Sequence, residues 1–312
     1  MKIVEERMWN MIFKKRTESL ELKLLRSLDM RAELIETDKQ RFHNLAKGYE
    51  GELMFDSFTE KLECENFLLN DLLLEHSGNK FQIDTLMVTQ DPLYLFDVKN
   101  YEGDFFYESG MFRSLASKKE IQNPLLQLER CQSLLRQLLQ SIGIRLTIEA
   151  YVIFINPRFH LFQSPLNKPI IYPNQLPDFM KKLNRKKSVL NGRHRSLAEQ
   201  LAAMHQIISP YEQYVKYTID KVKKGFFCDV CGSFHVSFCG RHLQSEMCGH
   251  REGIDAAVLR MVEEIKLLYP NEKITTNLVF EWCQVIGSKQ AIARILKQNF
   301  CVRGNKRHTY YE

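Results

Sequence analysis

The chain has 312 residues, 44 Lys and Arg against 38 Asp and Glu for a formal net charge of +6, and 44% hydrophobic content. That length exceeds one usual domain and the apolar content is enough for real cores, so two or three folded parts are expected and a disordered or fibrous chain is not. No run of 18 apolar residues occurs and the opening MKIVEERMWNMIFKKR is charged where a secretory leader would be apolar, so a cytoplasmic chain with no membrane span is expected, its eight cysteines being thiols or metal ligands.

Residues 1–44 are rich in Leu, Glu, Lys and Arg, and Leu20, Leu24, Leu25 and Leu28 recur at helical intervals. They predict a helical segment whose stripe packs as core. The next part, 45–156, begins with GYEGELMFDSFTEKL, a helix whose Phe55, Phe58 and Leu62 share a face and which carries Glu52 near its start. IDTLMV and LYLFDV then flank Thr89-Gln90-Asp91-Pro92, which is turn chemistry, and read as a hairpin of two buried strands.

That hairpin carries the chemistry. Asp97 and Lys99 stand two apart on a strand and so share a face, and the turn can bring Asp84 beside Asp97. Carboxylates held that close repel unless they share a proton or hold a divalent cation, and hard oxygen donors favour magnesium or manganese. A neighbouring ammonium can then orient, or help deprotonate, a water attacking phosphorus. The same bare pattern also occurs on surface hairpins with solvated charges. After it, YEGDFFYESGMF reads as a second strand pair, QNPLLQLERCQSLLRQLL as an amphipathic helix opened by Asn123-Pro124, and LTIEAYVIFIN as a buried strand. The order helix, three or four strands, helix, strand predicts an α/β (α+β) fold.

Charge is unevenly spread. Residues 48–156 hold nine Lys and Arg against seventeen Asp and Glu, a net of −8, whereas 157–312 hold 24 against 13, a net of +11. An acidic catalytic part attracts cations but repels a polyanion, so any grip on phosphate has to come from the basic half. Within residues 157–224, the stretch 157–195 contains five of the nine prolines (157, 165, 169, 173 and 177) and then Lys181, Lys182, Arg185, Lys186, Lys187, Arg193 and Arg195 with no acid between them. This reads as a Pro-rich, basic connection or exposed loop with helices, either a solvated face or a backbone clamp.

Residues 225–252 hold CDVCGSFHVSFCGRHLQSEMCGH. Cys228-x2-Cys231 followed by glycine is the turn of a zinc knuckle, in which thiolates converge on one ion. Cys228, Cys231, Cys239 and Cys248 form the favoured Zn²⁺ set, with His242 or His250 as alternatives for the fourth corner. A fully ligated ion leaves no position for water, so the role expected is structural. Cys64, Cys131, Cys283 and Cys301 read as buried thiols. Residues 253–312 predict three short amphipathic helices and a turn at Arg303-Gly-Asn-Lys. They read either as a helical cap or as a winged-helix-like module with Lys289, Arg294, Lys297, Arg303, Lys306 and Arg307 facing phosphate.

GYEGE, QID, DVKNYEG and NPLLQ occur in an order and at spacings that resemble the nuclease-related domain, NERD, a bacterial relative of the restriction-endonuclease-like PD-(D/E)xK superfamily. The resemblance covers about residues 45–156. It implies a restriction-endonuclease-like mixed sheet flanked by helices, DNA as partner, and hydrolysis of phosphodiester bonds with Mg²⁺ or Mn²⁺. Carried over by position, Glu52, Asp84, Asp97 and Lys99 match the catalytic set, and Gln127 a polar position that assists substrate or water placement. Asp97 stands where many relatives carry the longer Glu. A C-terminal zinc ribbon often accompanies the family with a second Cys-x2-Cys, whereas here Ser245 stands three before Cys248. The alternative expectation is an inactive nuclease fold in a protein that binds nucleic acid through its ribbon and basic half. A third is a partner-docking protein using its N-terminal helices.

Overall fold

The computed structural model describes residues 11–207, 215, 217, 222–284, 288–305 and 308–312. The chain divides into two compact units, one of residues up to Glu18 with Asn44–Glu212, the other of Ser19–His43 with Gln213–Glu312. Both mix helices with small sheets, an α+β architecture.

The first unit opens with a strand where only helix is expected. β1 (Met11–Lys14) is MIFK, three apolar residues and a lysine, too short a stretch to be told from a helix turn by pattern. The chain then passes through α1 (Leu20–Arg31), which belongs to the second unit, into α2 (Glu36–Thr59), within which the unit boundary falls. Helix α2 therefore starts well before Gly48, and Glu52 lies in its interior, not near its start.

Strands β2 (Phe67–His76), β3 (Asn79–Val88) and β4 (Leu93–Lys99) follow, with β3 and β4 forming the expected antiparallel hairpin. Next come β5 (Gly103–Glu108), β6 (Met111–Ser114), β7 (Glu120–Ile121), α3 (Pro124–Ser141), β8 (Ile148–Phe154), β9 (Phe159–Phe162), β10 (Ile170–Ile171), α4 (Leu176–Arg185) and α5 (Gly192–Ala203). The main sheet has the order β1-β2-β3-β4-β8-β10, with β1 parallel to β2 and β8 parallel to β4. A second sheet, β7-β6-β5-β9, carries the YEGDFFYESGMF pair.

Strand period two sorts the side chains of the main sheet into two cores. Leu93 and Leu95 of β4 pack with Leu125, Leu128 and Leu135 of α3 and Leu197 and Leu201 of α5. Tyr94, Phe96 and Val98 face the other way, against Phe55 of α2 and Leu176, Met180 and Leu183 of α4. Helix α3 forms where Asn123 caps it, its side chain accepting from the Leu125 amide at 2.9 Å, and Pro124 fills a first-turn position that needs no amide donor. The basic run from Lys181 is part helix and part loop: Lys181, Lys182 and Arg185 lie in α4, Lys186 and Lys187 in the loop after it, and Arg193 and Arg195 in α5. The apolar residues of α4 fall on one side and leave Lys181, Lys182 and Arg185 exposed on the other.

The second unit joins α1 to a three-stranded sheet, β11 (Val236–Cys239), β12 (His242–Ser245) and β13 (Arg251–Gly253), and to α6 (Ile254–Leu268), α7 (Thr276–Cys283) and α8 (Lys289–Asn299). The pair β14 (Val302–Arg303) and β15 (Tyr310–Tyr311) ends it. Arg31 of α1 is fully buried, paired with Glu264 of α6 at 2.6 Å and lying over the Trp282 ring of α7. Among the described residues no helix is long and apolar enough to cross a membrane.

Candidate active site and candidate metal centre

Asp97 and Lys99 continue the row of Leu93 and Leu95, so both face α3. The Lys99 ammonium lies 2.9 Å from each Asp97 oxygen and also donates to Gln127 Oε1, in the first turn of α3, at 3.3 Å. It makes its hydrogen bond to Oδ1. Oδ2 is buried and accepts none.

Asp84 stands opposite Asp97, one step beyond the last ladder pair, Thr85 with Phe96. There the ladder gives way to a side chain: the Val98 amide donates to Asp84 Oδ2 at 2.8 Å. The alternation of β2 and β3 breaks at the same level. Ile83 and Leu86 join one core although three apart, as do Leu69 and Leu72 opposite them, and Asp71 takes a left-handed φ of 55°. A strand break exposes backbone carbonyls that need donors. The segment of β1 supplies two. Lys14 donates to the carbonyls of Asn70, at 2.9 Å, and Asp71, at 2.6 Å. Arg16 donates to the Asp84 carbonyl at 2.9 Å and to Thr85 Oγ1 at 3.0 Å.

Arg16 also holds the acids of α2. It pairs with Glu52 at 2.6 Å and grips both oxygens of Asp56 at 2.9 Å, with its own side chain only 2% exposed. Neither Lys14 nor Arg16 is signalled in the sequence, where they are two cations among many in FKKR, and only the non-local pairing of β1 with β2 reveals them. Gly51 lets α2 come this close. A Cβ there would stand 2.5 Å from the Asn100 Cβ, and Asn100 in turn ties the helix down by donating to the Lys47 carbonyl at 2.7 Å.

The cluster is short of positive charge. Burial pushes the Asp97 carboxyl up to about 7; the Lys99 charge opposes this and the Asp84 charge adds to it. Burial likewise lifts Glu52 to about 8, helped by Asp84 and resisted by Arg16. For Lys99, burial pulls the ammonium down, but Asp97 and Asp84 outweigh it and hold the group above its ordinary value. Raised acids, an all-oxygen donor set and a buried Asp97 Oδ2 that accepts no hydrogen bond beyond its ion-pair contact with Lys99 fit a hard divalent cation. The acids are nonetheless loosely gathered. Among the described residues, the group of three or more potential ligands whose atoms all lie within 4.8 Å of one another is Cys228, Cys231 and Cys248.

Cys239 does not join that trio. It pairs with His242 at the tip of the β11–β12 hairpin, whereas Val236 and Ser245 pair at the other end, three residues or about 10 Å away along an extended strand. Cys239 and His242 are both exposed. His250 lies nearer the trio, its Nε2 3.1 Å from an Asp229 carboxylate oxygen. Of the lone cysteines, Cys131 and Cys283 are buried as expected, Cys64 is partly buried and Cys301 is exposed. Lys289, Arg294, Lys297 and Arg303 are all exposed. Two already face acids, Arg294 with Asp255 at 3.6 Å and Arg303 with Glu312 at 3.0 Å. Lys306 and Arg307 lie outside the described residues.

Among curated proteins and solved structures none matches the chain. The family model of the nuclease-related domain, NERD, matches residues 47–155, the span from the first unit's part of α2 to the end of β8, and so includes Glu52, Asp84, Asp97, Lys99 and Gln127. Residues 47–155 of this chain are a nuclease-related domain.

Proposed function

We propose that the first unit is a Mg²⁺- or Mn²⁺-dependent nuclease that hydrolyses DNA phosphodiester bonds. The observation that carries the reading is the buried Asp97–Lys99–Gln127 cluster beside Asp84. Asp84 and Asp97 would hold the cation. When bound, it would lower the pKa of a water and stabilise charge on the phosphoryl oxygens. Lys99, kept cationic by the two aspartates, positions the water or a phosphate oxygen, and Gln127 fixes the direction of its ammonium. Glu52, with its carboxyl near 8, is suited to giving or taking a proton as an auxiliary acid. The exposed cations of α4 suit backbone phosphate, which the acidic catalytic part would otherwise repel. The cysteine trio is read as a structural Zn²⁺ site, and the setting as the cytoplasm.

A second reading has its own support: Arg16 occupies Glu52, and the acids are less gathered than the cysteines. In it the fold is an inactive scaffold and the chain binds nucleic acid through its basic surfaces. Metal-titrated cleavage of supercoiled, linear and single-stranded DNA separates the two. Cutting that needs Mn²⁺ or Mg²⁺ and disappears in Asp97→Ala supports the enzyme; tight binding without cutting at any metal concentration overturns it.

A further inference from the structure

The two turns flanking the β11–β12 hairpin are built alike. In Cys228-Asp229-Val230-Cys231-Gly232 the last amide donates to the first carbonyl at 2.9 Å, and Gly232 takes φ +70°. In Ser245-Glu246-Met247-Cys248-Gly249 the corresponding bond is 3.0 Å and Gly249 takes φ +73°. Both glycines adopt the left-handed conformation that lets the chain turn back. The amides two and three residues on face the leading side chain in each turn. Those of Val230 and Cys231 address the Cys228 sulfur, and those of Met247 and Cys248 donate to Ser245 Oγ at 3.3 Å. The serine oxygen thus sits where a second knuckle would hold its first sulfur.

Two contacts between the turns match edges of a tetrahedron. Cys228 Sγ is 3.6 Å from Cys248 Sγ, and Cys231 Sγ is 3.4 Å from Ser245 Oγ. Zinc bonds of about 2.3 Å to sulfur and about 2.0 Å to oxygen give tetrahedral edges of roughly 3.8 Å between two sulfurs and roughly 3.5 Å between sulfur and oxygen. Ser245 is 2% exposed, so its hydroxyl points into the cluster.

We propose that Cys228, Cys231 and Cys248 bind one zinc ion as thiolates and that the Ser245 hydroxyl completes the coordination. This rests on the reading of the trio as a zinc site and assigns its fourth corner within the chain. Each thiol loses its proton on binding, so three protons leave per zinc ion. The neutral hydroxyl is a weaker donor than a thiolate, which leaves the complex one negative charge lighter than a four-thiolate ribbon and its metal easier to withdraw.

The test titrates the reduced, metal-free full chain with Co²⁺ and then Zn²⁺, reading the thiolate-to-metal absorption and, by calorimetry in buffers of different ionisation enthalpy, the protons released. Expected are one thiolate-bound ion per chain by the charge-transfer band, three protons released with it, and spectra unchanged in Cys239→Ser, His242→Ala and His250→Ala. Ser245→Cys should raise the absorption by about a third, as a fourth thiolate joins three, and slow removal by a chelator several-fold. Ser245→Ala should keep the thiolate band, shift the ligand-field bands and speed removal. Failure to bind either ion stoichiometrically sinks the zinc reading itself. Stoichiometric binding whose spectrum changes in Cys239→Ser, His242→Ala or His250→Ala, or is indifferent to both Ser245 variants, overturns the serine assignment alone.

Discussion

Replacing Arg16 by Met removes one cation from five acceptors at once. The methionine fills much of the same space, but Glu52 and Asp56 lose their partner and the Asp84 carbonyl and Thr85 hydroxyl lose a donor. Breaking a buried ion pair by deleting one partner costs about 3–5 kcal/mol. Part of that is recovered here, because Glu52 already has its carboxyl near 8 with Arg16 present and goes higher without it. At neutral pH it is mostly protonated with or without Arg16, so little charge is stranded on it. We expect a loss of about 3 kcal/mol at pH 7, a large share of the roughly 5–15 kcal/mol of a typical fold. Between pH 7 and pH 9 the variant's Glu52 keeps a proton that the wild type releases near 8, so its deficit grows as pH rises from 7 to 9. Urea unfolding of wild type, Arg16→Met and Arg16→Lys at both pH values measures this, with Arg16→Lys in between because it keeps the charge but loses the fork. A deficit below about 1 kcal/mol, or one that does not change with pH, would refute the argument that Arg16 neutralises these acids.

Further outcomes follow from the same geometry. Without divalent cation, Asp97 and Glu52 keep protons in the folded state, near 7 and 8, that the unfolded chain releases near the ordinary carboxylate values; stability should therefore fall as pH rises from about 4 to about 8, and both Mn²⁺ and Asp97→Asn should flatten that slope in thermal melts. Gly51→Ala places a methyl 2.5 Å from the Asn100 Cβ and should cost about 1–3 kcal/mol, read as a lowered melting temperature together with weaker Mn²⁺ binding as Glu52 shifts. Lys99→Met removes the cation paired with Asp97, so the pH at which half-maximal Mn²⁺ binding occurs should move upward in calorimetry. In the second unit Arg31→Met strands Glu264, whose oxygens also accept from Ser27 and Trp282, and should cost about 3–5 kcal/mol by urea unfolding.

What the sequence reveals and what it hides divides along the range of the interactions. The hairpin that sets Asp84 opposite Asp97, and the shared face of Asp97 and Lys99, are legible because a four-residue turn and period two are local rules, which the structure obeys in the β3–β4 connection and along β4. Asn123-Pro124 announces α3 for the same reason. The strand β1 is not legible, since it pairs with a partner more than 50 residues on, Met11 beside Phe67, and nothing in MIFK points there. Nor is the start of α2, where ETDKQRFHNLAK has no continuous apolar face of its own. Cys239 misleads because counting sulfurs ignores the hairpin that carries it away from the trio. The spacing Ser245-x2-Cys248-Gly249 repeats that of Cys228-x2-Cys231-Gly232, and both form the same turn.

The folding unit is longer than the stretch that the family pattern recognises. A fragment cut at residue 47 would lose β1 and, with it, the neighbour of β2, whose FLLNDLLL core is flanked by that strand on one side only by virtue of Met11–Lys14. Stripped of it, β2 becomes an open, apolar border ready to recruit other chains. Excised versions of this domain should clump on expression, while versions that begin upstream of Met11 should stay monodisperse.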